Sequence, residues 1–189
     1  MKNVIILGCP RAGKTTLAGI LNKRLGMNII SIDSLVSAFR DNFEEININH
    51  HSPINQKSIQ LSPFVYSYSK KITHEYPYHN FVIEGWHVLP KDLIPLFDKE
   101  KYLIICLGYP EANIDNMFNL IRKYDTNYST TFNLSDEDLR NLVTRSKQYS
   151  QELFKQSLEL NIKFFDTYEN RNEKISQILE YIKQNIETE

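Results

Sequence analysis

The chain has 189 residues, of which 41% are hydrophobic, as is typical of one globular domain. Its 22 lysines and arginines against 23 aspartates and glutamates give a formal net charge of −1, which argues against nucleic acid or a membrane surface as the main partner. Apolar runs are far shorter than a membrane span, and the two cysteines, Cys9 and Cys106, make no disulfide framework. We therefore expect a cytoplasmic protein without an export signal.

Short apolar runs rich in Ile, Val, Leu and aromatic residues alternate along the chain with stretches of helical periodicity. Such runs are typical of parallel strands whose two faces are both covered by helices. The predicted strands cover residues 3–7, 28–32, 81–84, 102–107 and 162–165. The sequence thus predicts one α/β domain over residues 1–189, with a parallel sheet at its centre.

Helical patterns separate these runs. The predicted helices cover residues 14–25, 112–122, 135–160 and 175–186. Gly26 supplies a stop for the first helix, and Ser135 an N-terminal cap for the third. Two stretches, 41–63 and 123–134, are less regular, and irregular segments of this length are often lids or binding loops.

One motif in the chain has a specific chemical meaning. It is the run Gly8-Cys9-Pro10-Arg11-Ala12-Gly13-Lys14-Thr15, followed by Thr16, and it matches the phosphate-binding P-loop pattern in full. Because the motif follows a predicted strand and opens a predicted helix, an ordinary glycine turn is a poor alternative. Lys14 is placed to reach the β- and γ-phosphates of a nucleoside triphosphate, and Thr15 to bind Mg²⁺. Arg11 contacts a phosphate or faces solvent.

Acidic residues follow two further strands, and the carboxyl ends of parallel strands meet at one edge of the sheet. Asp33 comes after the second strand and Glu84 ends the third. Asp33 is suited to take a proton from a substrate hydroxyl or to hold Mg²⁺, or else it caps the following helix. Glu84 is suited to hold Mg²⁺ directly or through water.

The P-loop, Asp33 and the Ile83-Glu84-Gly85 ending together resemble the P-loop kinases of nucleosides, nucleotides and small metabolites, such as uridine kinase, 2-phosphoglycerate kinase and relatives of adenylate kinase. The resemblance implies a three-layer fold with a five-stranded parallel sheet in the order 2-3-1-4-5, and a helical lid at about 111–136. It also implies ATP and Mg²⁺ as ligands, and a loop at 165–167 beside the nucleotide base. GTPase motifs are absent from the sequence.

Several residues are candidates for the lid and the acceptor site. Arg122 would offset charge on the transferring phosphoryl group, and Arg40 would clamp a phosphate or carboxylate of the acceptor. Trp86 would stack on the acceptor, or else it packs in the core while His87 faces water. The adjacent histidines at 50–51 are more simply a solvated loop than a metal site, because a third ligand is missing at a suitable spacing.

The sequence therefore predicts a kinase that transfers the γ-phosphoryl group of ATP to a small acceptor molecule. Two alternatives remain open from the sequence. A nucleotide-dependent switch protein would bind ATP without a small acceptor. A nucleoside-monophosphate kinase would need several lid arginines, whereas the stretch 123–134 contains none.

Overall fold

Five parallel strands form the sheet of the computed structural model, which describes residues 1–43, 53–127, 129 and 131–187. The strands are β1 (Asn3–Gly8), β2 (Asn28–Ser31), β3 (Phe81–Gly85), β4 (Tyr102–Gly108) and β5 (Lys163–Asp166). Their order is β2-β3-β1-β4-β5, which confirms the predicted fold class. Every strand end lies within one residue of its predicted position.

Helices cover the sheet. They are α1 (Lys14–Leu25), α2 (Ile32–Asn42), α3 (Ile54–Glu75), α4 (Pro90–Leu93), α5 (Ile114–Tyr124), α6 (Asp136–Glu159) and α7 (Arg171–Ile186). The predicted caps are confirmed: Gly26 ends α1 in the left-handed conformation, and the Ser135 hydroxyl accepts a hydrogen bond from the Asp138 amide at 3.1 Å. Within the described ranges, no helix combines the length and apolar character needed to cross a membrane.

The central strand β1 separates two apolar cores because its side chains alternate between the two faces of the sheet. Val4 and Ile6 belong to the core that includes buried residues of α1, α6 and α7. Ile5 and Leu7 belong to the core that includes buried residues of α2, α3 and α4. All four side chains are fully buried, which explains why the strand is continuously apolar.

The helix α3 corrects the prediction that 41–63 is irregular, because α3 already begins at Ile54. Leu61 and Val65 are buried at a spacing of four residues, so one face of α3 packs on the sheet. Pro63 lies inside the helix on its exposed side, and its presence obscured this helical pattern in the sequence. The residues 44–52, which include the two histidines at 50–51, lie outside the described part of the chain.

The helix α5 begins two residues later than predicted, at Ile114. The side chain of Asn113 accepts a hydrogen bond from the Asn116 amide at 3.0 Å and so fixes this start. The helix continues to Tyr124, which leaves Arg122 in its last turn. Residues 125–135 join α5 to α6 within the stretch where the lid is predicted, and we refer to them as the lid segment.

Both cysteines are free and fully buried. Burial raises the pKa of the Cys9 thiol to about 11, although the nearby Lys14 partly opposes this shift. The thiolate form of Cys9 is therefore negligible at neutral pH, and the residue acts as a small apolar side chain under the P-loop.

Gly8 is required by the close approach of β1 to β4. A Cβ atom at this position would lie 2.6 Å from the Leu107 carbonyl oxygen. We therefore expect Gly8→Ala to lower the free energy of unfolding in urea by about 1–3 kcal/mol, as overpacking does. The control is Gly19→Ala in α1, where an added Cβ meets nothing within 4 Å and should stabilise the helix by about 0.5–1 kcal/mol. Equal stability of the two variants would contradict this account.

Candidate active site

The P-loop connects β1 to α1 through two residues with positive φ, Arg11 at 65° and Gly13 at 98°. The helix α1 starts at Lys14, so its first amide groups have no acceptor within the helix and are available to an anion. The Lys14 side chain is 5% exposed, and its ammonium donates to the Cys9 carbonyl at 3.1 Å. The ammonium therefore lies over the loop, where a bound phosphate would compete with this carbonyl.

Thr15 and Glu84 bring two oxygen ligands together. The Thr15 Oγ1 atom lies 3.4 Å from the Glu84 Oε2 atom. Ligands on adjacent corners of an octahedral Mg²⁺ ion lie about 3 Å apart, so the pair fits this ion. The structure contains no group of three or more His, Cys, Asp or Glu side chains suited to a metal within the residues it describes. A metal here would therefore take its other ligands from phosphate and water.

Glu84 is held in an environment that disfavours its charge. It is the penultimate residue of β3, beside Ile6 of β1 and Ser31 of β2, and it is only 3% exposed. Burial raises the pKa of the Glu84 carboxyl, Lys14 partly lowers it, and the negative Asp33 raises it further. A cation placed between the Thr15 and Glu84 oxygens would relieve this cost.

Asp33 lies in the first turn of α2, but it does not cap that helix. The cap is Ser31, whose hydroxyl accepts a hydrogen bond from the Ser34 amide at 3.3 Å. The Asp33 Oδ1 atom instead accepts a hydrogen bond from the Trp86 amide at 3.2 Å. The carboxylate therefore bridges the ends of β2 and β3, and its side chain is 39% exposed.

The structure corrects the interpretation in which Trp86 packs in the core while His87 faces water. His87 is fully buried and does not face water, whereas Trp86 is half-buried. The Trp86 ring packs edge-on against Tyr149, with 5.9 Å between ring centroids. Trp86 thus forms part of a wall next to Asp33, where an acceptor could lie.

Lys57 is a residue of this site that the sequence did not reveal. It lies on α3, is 1% exposed, and places its Nζ atom 3.2 Å from His87 Nδ1 and 4.7 Å from the Trp86 ring centroid. Burial lowers the pKa of the Lys57 ammonium to about 8, Asp33 partly restores it, and Arg145 lowers it further. A signal was present: Lys57 is four residues before Leu61, so it occupies the core face of α3.

Arg40 does not reach this site. It is exposed near the end of α2 and bonds to Asp41, with Nε 2.7 Å from Oδ1. Seven helical residues separate it from Asp33, or about 10 Å along the helix axis. The structure therefore does not bring Arg40 and Asp33 together.

Arg122 joins the two ends of the lid segment. Its guanidinium donates to the Leu134 carbonyl at 2.7 Å and to Asp136 Oδ1 at 2.8 Å. It thus ties the last turn of α5 to the start of α6. Its action on a phosphoryl group stays a prediction.

A second arginine fastens the lid segment to the P-loop. The Arg11 guanidinium donates to the Asp125 carboxylate and to the Thr131 hydroxyl, and Thr131 Oγ1 also donates to Asp125 Oδ1 at 2.7 Å. The Asp125 side chain is 4% exposed, so the ion pair is largely desolvated on the lid side. We call these three residues the lid latch. Among the described residues, Arg11 is directed to the lid rather than to solvent.

Arg171 is a further residue that the sequence did not single out. It starts α7, and its Nε atom lies 3.3 Å from where a Cβ of Gly13 would be. Burial lowers the pKa of its guanidinium, which remains charged at neutral pH. Arg171 therefore adds positive charge beside the P-loop, a few residues after the end of β5.

No protein-family profile matches the sequence, and no curated protein sequence matches it significantly. Solved structures do match the fold. A sugar kinase from Janibacter sp. HTCC2649 aligns with a TM-score of 0.62 at 14% identity, over 98% of this chain and 96% of that one. A gluconokinase from Sinorhizobium meliloti 1021 aligns with a TM-score of 0.56 at 9% identity, over 97% and 96%.

The YorR protein from Bacillus subtilis, solved in complex with phosphorylated GDP, aligns with a TM-score of 0.51 at 15% identity, over 96% of both chains. These alignments extend over nearly the whole of each chain. At such low identity they establish the fold alone. The chain therefore shares its fold with the sugar kinase and the gluconokinase, in line with the predicted fold class.

The lid latch makes a testable contribution to stability. Replacing Asp125 with Ala would leave the Arg11 guanidinium without its carboxylate in a partly buried site. We expect Asp125→Ala to lower the free energy of unfolding by about 1–3 kcal/mol and to speed proteolysis of the segment between α5 and α6.

The control is Asp115→Ala, which breaks an exposed ion pair with Arg140 and should cost at most about 0.5 kcal/mol. Urea unfolding and limited digestion with chymotrypsin, which cuts after aromatic residues such as Phe132 of this segment, measure both effects. Equal behaviour of the two variants would show that the latch contributes no more than a surface ion pair.

Proposed function

We propose that the protein is a phosphotransferase that moves the γ-phosphoryl group of ATP to a hydroxyl group of a small acceptor molecule. The observation that carries the proposal is the convergence of Lys14, Glu84 and Asp33 at the carboxyl ends of β1, β3 and β2. One side of this crevice is a phosphate-binding loop, and the other offers a carboxylate beside a half-buried aromatic wall.

The P-loop determines how the nucleotide would bind. Phosphate oxygens would accept hydrogen bonds from the first amides of α1, and the Lys14 ammonium would move from the Cys9 carbonyl onto the β- and γ-phosphates. Thr15 and Glu84 would hold Mg²⁺, which offsets the phosphate charge when bound. Arg171, beside Gly13, is positioned to add a further positive charge near the nucleotide.

Asp33 would activate the acceptor by taking the proton of its hydroxyl group. As the acceptor oxygen bonds to the γ-phosphorus, its proton passes to the Asp33 carboxylate, and the bond from phosphorus to the β,γ-bridging oxygen breaks. ADP leaves with that electron pair. Trp86 would form the wall that orients the acceptor.

An anionic group on the acceptor would find a cation in Arg145 rather than in Arg40. Arg145 is exposed on α6, one helical turn before the buried Tyr149 that packs against Trp86. Its positive charge reaches the interior of the site, because it helps to lower the pKa of Lys57. Acceptors that carry a carboxylate or phosphate beside the reacting hydroxyl are therefore the first to test.

The first experiment measures ADP production from Mg·ATP with a panel of sugars, hydroxy acids, nucleosides and nucleoside monophosphates. We expect one acceptor class to accelerate ADP release strongly. Lys14→Ala should reduce this rate by a factor on the order of 10²–10³. Asp33→Asn should reduce it by about 10²–10⁴ while ATP still binds.

The exposed Lys23→Ala on α1 serves as the matched control and should leave the rate unchanged. Tight ATP binding with no acceptor effect across the panel would instead support a nucleotide switch. Normal turnover of Asp33→Asn would remove this residue from the role of base.

Glu84→Gln tests the metal site because it should stabilise the ligand-free protein and weaken Mg²⁺-dependent ATP binding. Because the pKa of Glu84 is raised in the fold, its ionised form costs stability above that pKa, and the cost shrinks as the pH falls toward 4.5. We expect Glu84→Gln to raise the free energy of unfolding of the ligand-free protein at pH 8, and to do so less at pH 5. The same variant should weaken the Mg²⁺-dependent part of ATP binding by about 10- to 100-fold.

The exposed Glu100→Gln is the control and should change neither quantity. Urea unfolding at the two pH values and titration calorimetry with and without Mg²⁺ supply the data. A variant that is less stable at pH 8 yet binds Mg·ATP normally would contradict the assignment of Glu84.

A further inference from the structure

A lysine and a histidine are buried next to the carboxylate of Asp33. His87 is fully buried at the end of β3, and Lys57 reaches it from α3. The imidazole lies between the two charged groups: Lys57 Nζ is 3.2 Å from Nδ1, and Asp33 Oδ1 is 3.9 Å from Nε2. Polar side chains from α2, from α3 and from the residues after β3 thus lie next to one another.

The chemistry of Lys57 and Asp33 determines which nitrogen of the His87 ring carries the proton. An ammonium group only donates hydrogen bonds, so a contact with Nδ1 requires that this nitrogen carries no proton. The neutral imidazole must then carry its proton on Nε2, the nitrogen that faces Asp33. An N–H group facing a carboxylate favours the ionised, acceptor-only form of Asp33.

The same oxygen of Asp33 also accepts the hydrogen bond from the Trp86 amide at 3.2 Å. Oδ1 is therefore approached by a backbone donor on one side and by the imidazole on another. The Trp86 hydrogen bond restricts the rotation of the carboxylate, whereas the imidazole, at 3.9 Å, is too far for a hydrogen bond and acts on this oxygen electrostatically. A carboxylate that must meet a substrate hydroxyl benefits from this restriction, because a misplacement of about 1 Å costs large factors in rate.

We propose that Lys57 is a positioning residue for Asp33, acting through His87: its ammonium holds the imidazole in the Nε2–H tautomer, and this N–H group orients the carboxylate toward the acceptor. The catalytic part of this proposal rests on the proposed function, whereas the tautomer does not. The proton taken from the acceptor goes to Asp33 and not to His87, since Nε2 already carries one.

The alternative role of Lys57 is purely structural: a buried cation that stabilises the contact between α3 and Trp86. A purely structural lysine would change stability when replaced, but it would not select a tautomer of His87. The two roles are therefore separable by a spectroscopic measurement that needs no turnover.

The pH range of the effect follows from the groups around Lys57. Asp33 on α2, Glu84 and His87 on β3 and its extension, and Arg145 and Tyr149 on α6 face this region. Burial and Arg145 lower the pKa of Lys57 to about 8, against the opposing effect of Asp33. Below this pH the donor-only ammonium enforces the tautomer, and above it the neutral amine no longer does.

The decisive experiment is ¹⁵N NMR of the histidine side chains in the full-length wild-type protein, in Lys57→Met and in Lys57→Arg. The control is Lys70→Met, an exposed position on the same helix. At pH 7 we expect His87 to be predominantly Nε2–H in the wild type, in Lys57→Arg and in the control. In Lys57→Met the Nδ1–H tautomer should rise at least several-fold.

An Nδ1–H tautomer of His87 in the wild type overturns the proposal, even if Lys57→Met does not fold. An unchanged tautomer in a folded Lys57→Met overturns it as well.

The kinetic measurement uses the acceptor found in the ADP assay. We expect Lys57→Met to lower kcat about 10- to 100-fold with little change in the KM for ATP, and Lys57→Arg to restore part of the loss. An altered tautomer with an unaltered kcat overturns the catalytic part of the proposal. Failure of the proposed function is distinguishable, because the wild type itself would then show no acceptor-dependent ADP release, and the tautomer measurement alone would decide the role of Lys57.

Discussion

The parallel alignment of β1, β2 and β3 is the constraint on which the site depends. Their register sets Glu84 beside Ile6 on one strand and beside Ser31 on the other, so the three strands end at the same level. A residue that follows any of these strands therefore enters the same crevice. Lys14, Asp33 and Glu84 are far apart in the sequence, but the alignment of the strands is sufficient to bring them together. The chemistry follows from the sheet, and the helices mainly hold the sheet in place.

The convergence of these groups carries an electrostatic cost that the fold must offset elsewhere. Burial and repulsion from the negative Asp33 both raise the cost of ionising Glu84. Lys14 on one side and Lys57 on the other reduce this repulsion, but Lys57 is itself buried near Arg145. Such an arrangement is poorly explained by stability, because apolar packing would serve that purpose better. It is better explained by the proposed function, in which a Mg²⁺ ion held by Thr15 and Glu84 would offset the charge of the carboxylates.

The features that could be predicted from the sequence were those encoded within a short segment. The P-loop needs only eight consecutive residues, and Asp33 and Glu84 were found because each directly follows an apolar run. Lys57 was missed because its role depends on contacts across thirty residues with His87. Pro63 hid the helix that carries it. The link between Arg11 and Asp125 spans more than a hundred residues, and no local pattern encodes such a pair.

The lid latch joins the loop between β1 and α1 to the segment between α5 and α6. Arg11 belongs to the phosphate-binding loop, yet its guanidinium is engaged by Asp125 and Thr131 of the lid segment. A phosphate near the loop would attract the same guanidinium, so the two anionic partners compete for one cation. Because Arg122 holds Leu134 and Asp136 beside the last turn of α5, this competition would act on Asp125 and Thr131 rather than on the start of α6. Under the proposed function, water has to be excluded once a nucleotide is bound, and a response of this segment to the phosphates would meet that need.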